Sequence, residues 1–167
     1  MSPELPDPGS LARARKSVRP IPASVQRWAK PILRAMSAVN VAVYRLSAGR
    51  VGGRFLGGAP VCLVTMRGRK SGKLRTLPLI YVPHGEDVIL VASQGGMERH
   101  PVWYHNLTAD PNVEVQAGGE RRMLVARQAG DAEKKALWPV LTAVYPDFED
   151  YQARTDRNIP VFVCSPP

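Results

Sequence analysis

The residues best suited to chemistry begin with a cationic stretch near the middle of the chain. Between Arg67 and Arg75 the sequence places five Lys or Arg residues and two glycines, with no acidic residue among them. A hairpin tip of this composition offers backbone N–H groups, a serine hydroxyl and guanidinium groups to a phosphate or a carboxylate. The spacing is not that of a P-loop, and a well-solvated charged turn explains the composition equally well.

A second group of candidates follows a predicted strand. Residues 91–96 read Val-Ala-Ser-Gln-Gly-Gly. A hydroxyl, an amide and two glycines at a strand end would let a flat ligand approach the backbone closely. Residues 101–107 then place Trp103, Tyr104 and Asn106 near the start of a predicted helix. For Trp103, ordinary core packing is the favoured interpretation.

The elements that must position these residues are predicted from periodicity. Apolar and β-forming residues alternate with period two in several segments separated by turn residues, which indicates strands. The predicted strands are 61–66, 74–82, 88–93, 113–116, 121–127 and 159–164, and the predicted helices are 24–47, 101–109 and 131–144, the last capped by Asp131. Hairpin-linked strands with helices among them predict an α+β fold around an antiparallel barrel.

The chain is predicted to form one domain with an N-terminal appendage. Residues 1–23 are rich in proline, serine and arginine, which predicts a disordered tail. Residues 24–58 are predicted to form an amphipathic helix and a glycine-rich link, and residues 59–167 the barrel domain.

The predicted N-terminal helix has two faces of different character. Its apolar residues recur at steps of three and four and include Val39, Val43 and Leu46, while Arg34 and Arg45 fall on the opposite side. The helix would either pack on the domain with its basic face in solvent or lie on an anionic membrane surface. The first interpretation is slightly favoured.

The net charge of +9 is concentrated at the N-terminus. Residues 1–60 contain ten Lys or Arg and two acidic residues, whereas residues 61–167 contain thirteen and twelve. A nearly neutral domain argues against nucleic acid as a partner. No stretch resembles the apolar core of a signal peptide or a membrane span, so we expect a cytoplasmic protein, with peripheral binding at the inner face of the cell membrane as an alternative.

The cysteines and histidines show no metal or disulfide pattern. Cys62 and Cys164 each lie in an apolar run, which is typical of buried free thiols in a reducing compartment. The three histidines lack partners at ligand spacing, so no metal is expected.

Three longer segments resemble successive signatures of the deazaflavin-dependent nitroreductase family. They are TMRGRKSGKLRTLPLIYV, ILVASQGGMERHPVWYHNLTADPNVEV and VYPDFEDYQARTDRNIPVFV, and the resemblance covers roughly residues 28–165. It implies a split β-barrel similar to the FMN-binding flavin reductases, with a groove for coenzyme F420. That cofactor is a planar deazaflavin with a phospholactyl-oligoglutamate tail, and it passes two electrons together as hydride.

The resemblance also implies which residues line the groove. Ser93 would lie close to the deazaflavin ring, and the hairpin cations would hold the acidic tail. The implied cofactor-binding residues are Arg69, Lys70, Ser71, Arg75, Thr76, Leu77, Pro78, Val91, Ala92, Ser93, Gln94, Val102, Trp103, Tyr104, His105, Asn106 and Phe148. The implied catalytic residues are Ser93, Tyr145 and Tyr151, whose hydroxyls could meet the oxygens of an acceptor.

The chain departs from the family pattern at two positions. Tyr145, Phe148 and Tyr151 are spaced so that a helical turn would align them on one face, which in the family forms a wall of the substrate pocket. Phe148 stands where relatives often have a tyrosine, and Ile80 where a relative has an aromatic residue. The expected reaction is hydride transfer from reduced F420 to a quinone-like or nitroaromatic acceptor. The alternatives are an FMN-dependent reductase on the same fold and a non-enzymatic F420-binding protein.

Overall fold

A computed structural model describes residues 39–55 and 57–167 and shows a closed antiparallel β-barrel. The strand order around the barrel is β1-β2-β3-β6-β5-β4. The strands are β1 (Val61–Arg67), β2 (Leu74–His84), β3 (Asp87–Val91), β4 (Asn112–Ala117), β5 (Glu120–Gln128) and β6 (Val161–Ser165). The predicted α+β fold around an antiparallel barrel is confirmed.

The barrel has an inner and an outer apolar face because successive side chains of a strand point to opposite sides. In β1, Cys62 and Val64 belong to the inner core, whereas Val61 and Leu63 face outward. Cys164 on β6 is also in the inner core, and both cysteines are free and buried. Burial raises the pKa of each thiol to about 12, so neither is a thiolate at neutral pH.

Helices cover the barrel on several sides. They are α1 (residues 39–46), α2 (Val102–Ala109), α3 (Asp131–Val144) and α4 (Asp147–Ala153). Helix α2 adds Trp103 and Leu107 to the inner core. Helices α3 and α4 pack on the outer face of β3 and β6. Tyr44 of α1 packs on the outer face of β1.

Strand β2 pairs with a different neighbouring strand along each part of its length. It pairs with β1 from Leu74 to Ile80 and with β3 from Tyr81 to His84. Within the described residues, positions 74–80 therefore have a strand on one side only. This one-sided pairing explains Pro78, which has no N–H to donate and is tolerated at such an edge.

Several element bounds and one helix cap differ from the sequence predictions. The third strand ends at Val91 rather than residue 93, because the chain turns into the 3-10 helix Gln94–Gly96. Gly130 rather than Asp131 is the N-cap of α3, and the Asp131 carboxylate instead accepts a hydrogen bond from Asn158. The last strand begins two residues later than predicted, at Val161.

Of the two interpretations of the N-terminal helix, packing of its apolar face on the domain is wrong over the residues that the structure describes. Val39, Val43 and Leu46 are exposed, at 61%, 38% and 90%, while Tyr44 is buried. The reason is that α1 is anchored through the Tyr44 side chain, while Val43 faces an open cavity. Residues 24–38 lie outside the described part of the chain. Among the described helices, none has the length and apolar character that a membrane span requires.

Candidate functional site

A cavity of about 610 Å³ opens on the outer face of the barrel. Its floor comes from β1 and β2, through residues such as Leu63 and Pro78, and its two walls come from α1 and α4. The predicted site residues that line it are Pro78, Val91, Ser93, Gln94, Trp103, Tyr145, Phe148 and Tyr151. A cavity of this size and largely apolar lining suits a planar small molecule.

The aromatic wall of the cavity carries two hydroxyl groups that contact each other. The Tyr145 and Tyr151 hydroxyl oxygens are 3.0 Å apart. Phe148 is buried between α4 and the barrel, with its ring centroid 5.0 Å from that of Tyr145. Burial and the hydrogen bond to Tyr151 raise the pKa of Tyr145 well above its usual value, so this hydroxyl stays protonated at neutral pH.

Ser93 and Gln94 lie in the loop that follows β3, beside the aromatic wall. Gln94 has φ of 47°, and Gly95 and Gly96 continue in the left-handed region with φ of 66° and 78°. A Cβ on Gly96 would lie 2.6 Å from the carbonyl oxygen of Tyr151, so only glycine lets α4 pack this closely. The loop and the aromatic wall therefore meet through backbone contact.

The cationic hairpin lies outside this cavity but connects to it. The side chains of Arg69, Lys70, Ser71 and Arg75 are exposed. The hairpin tip is closed by the Gly68 N–H, which donates to the Lys73 carbonyl at 2.9 Å. These side chains do not line the cavity, yet they remain free to reach a ligand that extends from it.

Helix α2 links the cavity with the hairpin. Trp103 lines the cavity, and the buried Asn106 lies one turn further along α2. The Asn106 Oδ1 accepts a hydrogen bond from the Arg69 N–H at 3.1 Å. Along β2, Arg75 is three residues from Pro78, which is about 10 Å in a strand, and the two side chains point to opposite faces. Helix α2 thus joins the cavity, which Trp103 lines, to the hairpin, which Asn106 contacts.

The remaining predicted residues have other surroundings. Leu77 and Tyr104 pack against the inner core, and Ala92 is fully buried in it. The Thr76 hydroxyl lies 2.8 Å from that of Thr65. Val102 is 77% exposed, and the His105 ring makes an edge contact with that of Tyr104.

The sequence analysis missed the wall that faces the tyrosines. Val43, Val51 and Phe55 line the cavity, and the Phe55 ring lies edge-on to that of Tyr145 at 6.1 Å. The glycine-rich link was the feature of the sequence that could have indicated this wall. A Cβ on Gly49 would lie 2.7 Å from the Cα of Gly118, so the link is where α1 approaches the barrel backbone.

Two further features concern ionisable groups. Arg157, which sequence reasoning also missed, contacts the Ser93 loop through its guanidinium group. The only feature of the sequence that pointed to Arg157 was its position in the third segment that resembles the family. In the described part of the chain, no group of three or more His, Cys, Asp or Glu side chains is arranged to hold a metal ion.

A family model and a relative from Mycobacterium tuberculosis are similar to this chain. Residues 36–166 match the family model described as F420H(2)-dependent quinone reductase. An F420H(2)-dependent quinone reductase of Mycobacterium tuberculosis is 39% identical over 127 residues, which cover 74% of this chain and 85% of that protein.

Two solved structures are also similar. The structure of an F420-H2 dependent reductase, FDR-A, has 40% sequence identity and a TM-score of 0.60, covering 64% of this chain and 94% of its own. A structure described as a domain-swapped dimer has 33% identity and a TM-score of 0.62, covering 84% of this chain and 98% of its own.

Proposed function

Because the chain belongs to the F420H(2)-dependent quinone reductase family, we propose that it passes a hydride from reduced F420 to a quinone or a similar planar acceptor. The observation that carries this proposal is that helix α2 joins an aromatic-walled cavity, through Trp103, to an exposed cationic hairpin, through Asn106. A molecule with a planar ring and an acidic tail requires a cavity for the ring and a cationic surface for the tail.

The residues present fit the cofactor of the family. The exposed guanidinium groups of Arg69 and Arg75, with Lys70 and Ser71, can bind phosphate and carboxylate groups through charge-assisted hydrogen bonds. The cavity of about 610 Å³ has room for a planar ring system. When bound, reduced F420 supplies a hydride. Ser93 and Gln94 would orient the ring through the hydroxyl and amide that they bring to the cavity.

Quinone reduction requires a proton as well as a hydride. The paired hydroxyls of Tyr145 and Tyr151 can donate a hydrogen bond to an acceptor oxygen on which negative charge develops. The raised pKa of Tyr145 keeps its hydroxyl protonated and therefore able to donate. Tyr151 is partly exposed, which allows its hydroxyl to exchange protons with solvent. These contacts support a catalytic role for both tyrosines, and the position of Ser93 in the same cavity supports one for its hydroxyl.

The decisive experiment is a binding titration followed by turnover. The purified protein is titrated with F420 and with FMN while cofactor fluorescence is recorded, and reduced F420 is then mixed with a water-soluble quinone. We expect saturable F420 binding, little FMN binding, and F420 oxidation that depends on both protein and quinone. Tight FMN binding would support the FMN-dependent alternative, and F420 binding without turnover of any quinone would support a non-enzymatic F420-binding protein.

The surroundings of the cavity mouth also support peripheral association with an anionic membrane, where lipid-soluble quinones reside. Leu46 of α1, the helix that follows the basic N-terminus in the sequence, is 90% exposed, and Phe55, which lines the cavity, is 47% exposed. Residues 1–38 add seven Lys or Arg and two acidic residues. Exposed apolar side chains beside excess positive charge favour binding to anionic lipid surfaces.

Sedimentation with vesicles tests this association. Deleting residues 1–38 keeps Tyr44 and α1 in place, whereas a longer deletion would remove part of the cavity wall. We expect the full chain to sediment with anionic vesicles at low salt, less so with neutral vesicles, and the deletion variant to remain in the supernatant. Leu46→Ser should weaken sedimentation without changing F420 binding. A full chain that never sediments at low salt would disprove membrane association.

A further inference from the structure

The loop that carries Ser93 and Gln94 is fastened from behind by one side chain. The Arg157 guanidinium donates hydrogen bonds to the carbonyl oxygens of Ala92 at 3.2 Å, Ser93 at 3.1 Å and Met97 at 3.0 Å. It also donates to the His100 Nδ1 at 2.9 Å. The planar fork of an arginine can bind acceptors on several sides at once, so one residue joins both ends of the loop.

The loop needs such support because its own bonds are few. Its internal backbone bonds run from the Gly96 N–H to the Ser93 carbonyl and from the Met97 N–H to the Gln94 carbonyl. Gln94 has a left-handed backbone with φ of 47°, which is unfavourable for a residue with a side chain. A conformation of this kind persists only where surrounding contacts hold it.

Arg157 is itself anchored to the element that bears the aromatic wall. Its carbonyl accepts a hydrogen bond from the Gln152 side chain at 2.9 Å, and its N–H donates to the Thr155 hydroxyl at 3.2 Å. None of the ion pairs within the described residues involves Arg157. Its guanidinium is therefore committed to backbone carbonyls and one ring nitrogen. Arg157 does not line the cavity, so its effect on a ligand would be indirect.

We propose that Arg157 is a positioning residue, which sets the placement of Ser93 and Gln94 against the bound ring and couples that loop to the tyrosine-bearing helix. The proposal rests on the proposed function for the identity of the ring. Misplacement of the ring by about 1 Å would reduce the rate of hydride transfer strongly, even where binding through the tail persists. Loss of Arg157 is thus expected to lower kcat more than it lowers the affinity for the cofactor.

The test compares Arg157→Ala, Arg157→Lys and the control Arg127→Ala, which breaks an exposed ion pair with Glu133. Hydrogen exchange of the ligand-free proteins is measured first. We expect exchange across residues 92–100 to rise about tenfold or more in both Arg157 variants, with the β4–β5 hairpin unchanged. A lysine cannot span the two loop ends, so it should not restore protection. Unchanged exchange in Arg157→Ala would overturn the proposal.

Kinetics and chemical rescue give the second readout. In Arg157→Ala we expect kcat to fall about tenfold or more while the Kd for F420 changes little, and added ethylguanidinium to restore part of the lost kcat. A loss of stability with unchanged kcat, or a loss in kcat equal to that of Arg127→Ala, would show a structural role only and overturn the proposal. If the wild type binds no F420, the proposed function fails, and the exchange result still decides whether Arg157 holds the loop.

Discussion

Phe148 places a hydrocarbon ring beside two tyrosine hydroxyls in the cavity wall. Its centroid lies 5.0 Å from that of Tyr145 and 6.4 Å from that of Tyr151. Both oxygens of a quinone can be met by separate donors, such as the tyrosine pair and Ser93. A nitro group gathers its developing charge on two neighbouring oxygens, which favours an additional donor close to the first.

Replacing Phe148 by tyrosine should therefore change the preference between acceptors. We expect kcat/KM for a nitroaromatic to rise relative to that for a quinone by up to about tenfold, because one hydrogen bond made mainly in the transition state is worth about 1.4 kcal/mol. The measurement is kcat/KM for both acceptors with reduced F420, in the wild type and in Phe148→Tyr. An unchanged ratio would mean that Phe148 only shapes the cavity wall.

Single residues also show what the sequence could predict about the site. Ser93 and Gln94 were identified because a strand end followed by two glycines is visible locally, and both line the cavity. The bond from the Arg69 N–H to Asn106, and the contacts of Arg157 with Ser93, join residues far apart in the chain. Such contacts depend on how α2 and the segment before β6 dock on the barrel, which local patterns do not encode.

At the scale of elements, the β1–β2 hairpin would bind the cofactor tail independently of the ring. We expect Lys70→Ala combined with Arg75→Ala to weaken F420 binding far more than binding of a tail-less deazaflavin, because each charge-assisted contact is worth about 1.5 to 3 kcal/mol when fully formed. The control is Arg121→Ala combined with Lys135→Ala, which removes two exposed cations elsewhere. Both Kd values come from fluorescence titration. Equal losses for the two ligands would place the tail away from the hairpin.

Helix α1 forms a cavity wall that depends on one buried hydroxyl. The Tyr44 hydroxyl donates to the Val61 carbonyl at 2.9 Å and accepts from the Gly118 N–H at 2.8 Å. The bond from Gly118 fastens α1 to the turn between β4 and β5. Since Val43 on the same helix lines the cavity, movement of α1 would alter the space open to an acceptor.

Tyr44→Phe removes the partner of the buried Val61 carbonyl and of the half-buried Gly118 N–H. We expect the free energy of unfolding to fall by about 1 to 3 kcal/mol, and the KM for the acceptor to rise while the Kd for F420 changes little. Urea unfolding and steady-state kinetics measure the two effects. Tyr81→Phe, which removes a hydroxyl from a tyrosine of β2 that packs against the inner core, is the matched control. Lower stability with an unchanged KM would show that the wall keeps its position without this bond.

The elements themselves were predictable to different degrees. All the barrel strands were predicted because each has an apolar face toward the inner core. The outer face is largely exposed in β5, whereas in β3 and β6 it is apolar and lies under α3 and α4. The prediction that α1 packs its apolar face on the domain was wrong because Val43 lines an open cavity and Leu46 is exposed. Apolar periodicity indicates a helix, but it cannot distinguish a core-facing side from one that faces a cavity mouth.

At the scale of the whole molecule, the segment between β3 and α2 affects both the proposed site and the stability of the fold. His100 stacks on Tyr104 with ring centroids 4.1 Å apart, and its Nδ1 accepts a hydrogen bond from Arg157. This bond requires the neutral imidazole with its proton on Nε2. The groups facing His100 are Arg157, His105 and Tyr104. Burial and the two neighbouring groups Arg157 and His105 lower the pKa of His100 below its ordinary value of 6.5.

This lowered pKa predicts how stability depends on pH. Above pH 6.5 the imidazole is neutral in both the folded and the unfolded chain, so its contribution is fully present. As the pH falls below that value, the unfolded chain binds the proton first, and stability is lost until the pH reaches the lowered pKa of the folded state. Asp110 and Glu133, whose pKa values are lowered by hydrogen bonds, contribute a further loss only at more acid pH.

We therefore expect the Tm of the wild type to fall when the pH is lowered from about 7.5 to about 5.5. The Tm of His100→Gln should fall less over the same interval. The glutamine carbonyl can still accept the hydrogen bond from Arg157, but it has no proton to gain. Thermal unfolding at both pH values, followed by circular dichroism, provides the comparison, with His84→Gln as a control on an exposed histidine. An equal fall in the wild type and in His100→Gln would mean that the acid sensitivity arises elsewhere in the molecule.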